Sequence, residues 1–214
     1  EQVALDVARA VVDVLQGRIP ETPVNMPYVP SQALGFLQPY IDLARRLGRF
    51  FIQWHDGVTD RLELVFEGEV CQYDTRLLTS AFLMGLLSAV TAEPVNLVNA
   101  NLVAARRGLA VSEMCVPHSA VYDNLLTARL HNGSAQRSIA GTVIHGEPSL
   151  VSLDGQRLQC VLAGDMLVDL HHDRPGIVGR LGLILGEAGI NISFVQMSRA
   201  ARGGDQIMIL GLDE

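Results

Sequence analysis

The sequence predicts an α+β fold in which a mixed α/β domain precedes a smaller ferredoxin-like β-α-β-β unit. Three observations carry that prediction. Apolar residues recur at helical spacing over 31–47 and run almost continuously over 74–92. Short runs rich in β-formers, broken by Asn-Gly, Asp-Gly and Gly-Glu-Pro turns, fill residues 111–162. From Asp165 the pattern reads strand, helix, strand, strand, the order of a split β-α-β unit that stops at Asp213-Glu214 before its second helix and fourth strand. That last unit is therefore expected to be cut at its C-terminus.

The 214 residues, 49% hydrophobic and 18% charged, can bury a sizeable core. Three segments are expected: 1–30, 31–163 and 164–214. Residues 1–17 place Val3, Val7, Val11 and Val14 in a helical pattern ending at Gly17, with no cap at its start. Pro20, Pro23, Pro27 and Pro30 then mark an extended linker, since proline cannot propagate a helix. Ser31 is a plausible cap for a helix to Leu47, with Leu34, Leu37, Ile41, Ala44 and Leu47 on one face. Arg45, Arg46 and Arg49 stand near its expected C-terminal end, where positive charge suits the helix dipole.

Phe50–Trp54 and Leu62–Val70 read as the two strands of a hairpin across Asp56-Gly57. The apolar helix over 74–92 belongs in the domain centre. Val95–Val98 suggests a strand leading into a short helix capped by Asn99 and ending at Arg106-Arg107. Five further strand-like runs follow, at 111–116, 122–131, 135–145, 150–153 and 157–162, as an antiparallel sheet. The final helix, 176–188, sets Ile177, Leu181, Ile184 and Ala188 on one face, and Gly179, Gly182 and Gly186 are expected to bring it close to its sheet.

Composition narrows the function. A net charge of −7 with scattered arginines argues against nucleic acid, and no apolar run is long enough to span a membrane. A soluble cytoplasmic chain is expected. All sixteen basic residues are arginine, which removes Schiff-base chemistry, a P-loop lysine and a lysine base. Cys71, Cys115 and Cys160 are far apart with no Cys-X-X-Cys pair, as expected for reduced thiols used in core packing. Adjacent His171 and His172 fall on opposite strand faces and make a poor metal pair, so no metal is expected.

The stretch that invites a ligand is His171-His172-Asp173-Arg174-Pro175-Gly176, with Asn191 further on. An apolar strand feeds directly into a helix start, whose N–H groups and dipole favour a carboxylate. Pro175 presets the first helical φ, and Gly176 lets a small ligand approach the backbone. Strand alternation places Asp169 and His171 opposite Val168 and Leu170, which makes His171 accessible and turns His172 toward the apolar side or the turn. Taken alone, these residues leave two readings open: a ligand site, or a helix capped by Asp173 and facing solvent.

Asp173-Arg174-Pro175-Gly176 followed by Ala188-Gly189-Ile190-Asn191-Ile192 resembles the signature of ACT domains, small amino-acid-binding regulatory modules. Pro39-Tyr40 through Leu47-Gly48, Asn96-Leu97-Val98-Asn99-Ala100 and Gly141-Thr142-Val143 resemble the intervening domain of long-form bacterial D-3-phosphoglycerate dehydrogenases, and residues 1–25 resemble the end of their catalytic region. The resemblance implies an intervening domain over 31–163, an incomplete ACT domain over 164–214, and a homo-oligomer that pairs through both. It implies L-serine as the ligand, held by His171, Asp173 and Asn191, with the backbone at Pro175 and Gly176 taking the carboxylate, and feedback inhibition of serine biosynthesis as the outcome.

The resemblance also implies an NAD-dependent parent oxidoreductase. This stretch itself holds no Gly-X-Gly-X-X-Gly motif and no Arg, Glu and His set for hydride transfer, so no cofactor and no catalytic residue are expected within it. Some relatives carry a second anion site in the intervening domain. Here Ser149, Gln156 and Val161 stand where basic residues belong, leaving Arg157, Arg106, Arg107 and Arg137 as candidates. Two other readings are a part of an iron–sulfur L-serine dehydratase, which needs clustered cysteines, and a free-standing amino-acid sensor.

Overall fold

The computed structural model describes residues 2–15, 31–55, 59–132, 135–201 and 203–213. The proline-spaced linker, the Asp56-Gly57 turn and Gly133 lie outside the described residues. The fold is α+β: a six-stranded mixed sheet carrying two packed helices, joined to a three-stranded antiparallel sheet. Among the described residues no helix is long and apolar enough to cross a membrane.

Helix α1 spans Gln2–Leu15. Helix α2 spans Ser31–Trp54, further than its spacing predicts. Phe50–Trp54 is its C-terminal end and not a strand, because Leu47 and Phe51 continue the buried stripe of Leu37, Leu43 and Ala44 by one more turn. The strand-like composition of that segment loses to this packing, and the predicted hairpin does not form. Arg45, Arg46 and Arg49 consequently lie within the helix, where Asp42 pairs with Arg45 at 2.6 Å and with Arg46 at 2.8 Å.

Strand β1 (Arg61–Gly68) buries Leu62, Leu64 and Phe66 in alternation and leads through the 3-10 turn Glu69–Gln72 into α3 (Arg76–Ser88), whose sides are buried nearly all round. Gly48 and Gly85 let α2 and α3 cross at backbone distance: a Cβ on Gly85 would stand 2.0 Å from the Arg45 carbonyl oxygen. The predicted strand at Val95–Val98 is absent. Asn96 and Asn99 build a turn there, the Asn96 side-chain oxygen accepting from Val98 N–H at 2.9 Å and the Asn99 oxygen from Asn96 N–H at 2.8 Å. Asn99 does precede α4 (Ala100–Arg106), yet its side chain serves this turn and caps nothing.

The remaining strands are β2 (Ala110–Val116), β3 (Asn124–Asn132), β4 (Ala135–Ile144), β5 (Glu147–Leu153) and β6 (Gln156–Val161). Their order is β2-β1-β3-β4-β5-β6, antiparallel throughout except for the β1–β2 pair. That pair is parallel because α3 and α4 carry the chain back before β2 begins, as a parallel pair requires.

The smaller sheet contains β7 (Asp165–His172), β8 (Asn191–Arg199) and β9 (Asp205–Asp213) in the order β7-β9-β8, with helix α5 (Ile177–Glu187) between β7 and β8. One face packs Met208 and Leu210 against Leu185, Leu181 and Ile177 of α5. The opposite face sends Ile207, Ile209, Met166 and Val168 into the core of the larger sheet. Two expectations for α5 are corrected. Leu185 replaces Ile184 on the inner face, since Ile184 is 60% exposed, and Ala188 is also exposed. A Cβ on Gly179, Gly182 or Gly186 would meet nothing within 4 Å, so these glycines bring the helix no closer to its sheet.

Candidate functional site

Strand β7 delivers His171 and His172 to the start of α5, and central strand β9 fixes their register: His171 lies opposite Gln206 and His172 opposite Asp205. Gly176 is the N-cap of α5 with φ +93°, a conformation that costs a glycine little and a residue with a Cβ much more. No side chain caps the helix. Asp173 therefore does not act as the cap. Its backbone N–H donates to Gly204 O at 2.9 Å, and its carboxylate accepts from the Arg199 guanidinium and from Gly203 N–H at 3.3 Å. The hydrogen bond from Arg199, helped by the Gly203 N–H, holds the Asp173 carboxyl below the usual carboxylate range.

A cavity of about 480 Å³ opens here, lined by Asp173, Pro175, Gly176, the first residues of α5, and Met197, Arg199 and Gln206 from the other two strands. It combines an ionised carboxylate, a guanidinium and an uncapped helix start. That is a set of charges complementary to a small zwitterion.

His171 is less accessible than alternation implies. Its side chain is only 10% exposed, with Nδ1 2.5 Å from Asp169 Oδ2 and Nε2 2.9 Å from the Gln206 amide oxygen. Alternation places it correctly beside Asp169, but the cross-strand neighbour Gln206 then covers it. His172 points to solvent and not to the apolar side, 2.9 Å from Asp205.

Asn191 is not at this end of the unit. It pairs with Asp213 across the sheet and donates to that carboxylate at 3.0 Å, whereas Arg199, at the other end of β8, pairs with Gln206 beside the cavity. At about 3.3 Å per residue, Asn191 lies roughly 26 Å along the strand from Arg199. Within one chain Asp173 and Asn191 cannot touch the same small ligand.

Arg199 is the side chain that sequence reasoning missed. Its position follows from the strand order, in which β8 and β7 flank β9. Pairing across three strands leaves no local signal in the sequence around Ser198-Arg199.

The four candidate anion-site arginines are not brought together. Arg106 is 3.8 Å from Glu93 at one edge of the large sheet, and Arg107 is the C-cap of α4. Arg157 lies on β6 at the opposite edge, across from Ser152. Arg137 is bound 2.6 Å from Asp154 and stacks 5.2 Å over the Trp54 ring. Arg137 does share a cleft of about 970 Å³ with Arg45, Arg46 and Arg49, closed on its far side by Met166, Val168 and Leu170 of β7. Among the described residues no group of three or more His, Cys, Asp or Glu is placed to hold a metal ion.

Comparison with known proteins places the chain in a family. The D-3-phosphoglycerate dehydrogenase intervening domain matches residues 36–154. The D-3-phosphoglycerate dehydrogenase of Methanocaldococcus jannaschii is 37% identical over 97% of this chain and 39% of its own length. That of Synechocystis is 34% identical over 99% of this chain and 39% of its own, and that of Bacillus subtilis 28% identical over 99% and 40%. The chain thus spans about two fifths of the length of these relatives. It belongs to the family of the D-3-phosphoglycerate dehydrogenase intervening domain, followed here by a β-α-β-β unit.

Proposed function

We propose that this chain is a regulatory region of a D-3-phosphoglycerate dehydrogenase, and that it binds L-serine between two copies of its β-α-β-β unit to inhibit the dehydrogenase of which it forms part. The observation that carries the reading is the cavity at the strand-to-helix turn, where Asp173, Arg199 and an uncapped, glycine-started helix meet.

The ligand's ammonium binds the ionised Asp173 carboxylate. Its carboxylate binds the backbone at Pro175 and Gly176 with the first N–H groups of α5, where the dipole favours an anion. Its hydroxyl needs a polar partner, which is Asn191, since Asp169 and Gln206 engage both ring nitrogens of His171. Because Asn191 sits at the far end of its own chain's β8, it serves the site only from a second copy, across a two-fold interface. No bond is made or broken.

Inhibition then follows from differential affinity. A ligand bound between two copies favours one relative orientation of the regulatory units, and only that preference can bias the attached catalytic domains. A nicotinamide cofactor is held by the parts of the longer protein that lie outside this stretch. The cytoplasm is the proposed compartment.

The test is a thermal-shift series with L-serine, glycine, other amino acids and phosphorylated hydroxy acids, on the wild type, Asp173→Ala and Asn191→Ala. Selective stabilisation by L-serine that each substitution abolishes, with partial recovery on mixing the two variants, is the expected result. Stabilisation by a different amino acid would overturn the ligand. An Asn191→Ala chain that binds like wild type would overturn the paired site.

A further inference from the structure

Two thiols that the proposed regulatory site does not use meet at one edge of the six-stranded sheet. Cys115 is exposed on β2, the outermost strand, and pairs in register with Phe66 of β1. Cys71 lies in the 3-10 turn directly after β1, a turn fixed by the Asn124 side-chain oxygen, which accepts from Val70 N–H at 2.8 Å. The turn folds Cys71 back over the strand end. Its Sγ donates to Phe66 O at 3.1 Å and lies 3.6 Å from Val116 O, so it sits beside the residue registered with Cys115 and the residue after Cys115. The Cys115 Sγ lies 4.0 Å from Thr75 Oγ1, on the segment that follows the Cys71 turn. Cys160 is buried in the core, away from this pair.

We propose that Cys71 and Cys115 form a reversible intrachain disulfide when the chain meets a small-molecule disulfide. The two residues are far apart in sequence, and the parallel β1–β2 pairing with the back-folded turn brings them together. Rotation about the side-chain χ1 angles then has only to close the sulfurs to bonding distance.

The steps balance as two exchanges. The exposed Cys115 thiolate attacks one sulfur of the small disulfide, breaking its S–S bond, forming a mixed disulfide on Cys115 and releasing one thiolate. Cys71 then loses its proton and attacks the Cys115 sulfur, displacing the second small thiol. Two protein thiols are oxidised and one small disulfide is reduced to two thiols. This order matches the two environments: burial, and then the neighbouring Cys115, push the Cys71 thiol up to about 11, which suits the resolving and not the first attacking role. The product ties the sheet's edge strand to the turn after β1 and closes a loop that carries α3 and α4.

The test incubates the reduced native chain with glutathione disulfide, denatures it, and counts free thiols with a maleimide, followed by peptide mapping. The three thiols are expected to fall to one, on Cys160, with Cys71 and Cys115 in one linked peptide pair and full recovery on reduction. Cys71→Ser should stop at a glutathione adduct on Cys115, and Cys115→Ser should not react. The oxidised wild type should also melt at a higher temperature than the reduced form. The proposal is overturned if the wild type keeps all three thiols, or if mapping finds Cys115 only as a glutathione or interchain adduct while Cys71 stays free. Mapping of the wild type decides the matter even if a serine variant fails to fold.

Discussion

Replacing Gly85 by alanine should destabilise the chain, whereas the same replacement at Gly182 should stabilise it, although both glycines lie inside helices. At Gly85 a Cβ would stand 2.0 Å from Arg45 O, 2.9 Å from Arg45 C and 3.0 Å from Arg49 N, all backbone atoms of α2. Backbone atoms cannot turn aside as a side chain would. Ordinary contact therefore requires α2 and α3 to separate by about 1.4 Å, and overpacking of this kind costs about 3 kcal/mol. Alanine's better helix propensity returns about 1 kcal/mol, leaving a net loss of about 2 kcal/mol, or roughly 4–8 °C in melting temperature for a chain of this size. At Gly182 no atom lies within 4 Å of the built Cβ, so only the propensity gain remains, about 1 kcal/mol or roughly 2–4 °C upward. Thermal and urea unfolding of the two variants beside wild type measures both signs. A Gly85→Ala chain as stable as wild type would refute the close crossing of α2 and α3. A loss at Gly182 would refute the open outer face of α5.

Two further outcomes follow from polar groups. Asn124→Ala removes the acceptor for Val70 N–H and the donor to the Tyr40 hydroxyl, both at 2.8 Å. Leaving buried polar groups unpaired should lower the unfolding free energy by about 1–3 kcal/mol, read as a lower urea midpoint, and an unchanged midpoint would refute the role of this network. The Asp173 carboxyl is held below the usual carboxylate range, so its favourable contribution is complete above the ordinary carboxylate pKa and is lost only as pH falls through the depressed folded value. Stabilisation by L-serine should therefore be level from roughly pH 5 to 8 and fade below about pH 4. A stabilisation already lost well above pH 5 would refute this role for the Asp173 carboxylate.

The parts of the fold that could be read in the sequence are those dominated by local pattern. β1 alternates Leu62, Leu64 and Phe66 against Arg61, Glu63 and Val65, and α3 is apolar nearly all round, so period and hydrophobicity agree with their burial. The strand-to-helix turn at Asp173–Gly176 was equally legible, because proline and glycine act within one or two residues of themselves. Phe50–Trp54 has the composition of a strand because aromatic and β-branched residues suit one wherever packing is silent, and packing on α2 is not silent. Val95–Val98 has the composition of a strand, but the Asn96–Asn99 side-chain turn competes with the strand ladder and prevails.

By itself, then, the sequence determined the α+β class, the β-α-β-β order, the strand-to-helix turn at Asp173 and the family resemblance, since each depends on residues close together in the chain. Tertiary structure alone decided which glycines sit at a helix crossing, that Gln206 covers His171, that Arg199 reaches Asp173, and that Asn191 stands at the wrong end of β8 to join its own chain's cavity. The physical reason is common to all four. Each depends on residues far apart in the chain, brought together by helix packing at the glycines and by strand register and order in the other three, and neither period nor propensity encodes which partner an element will find.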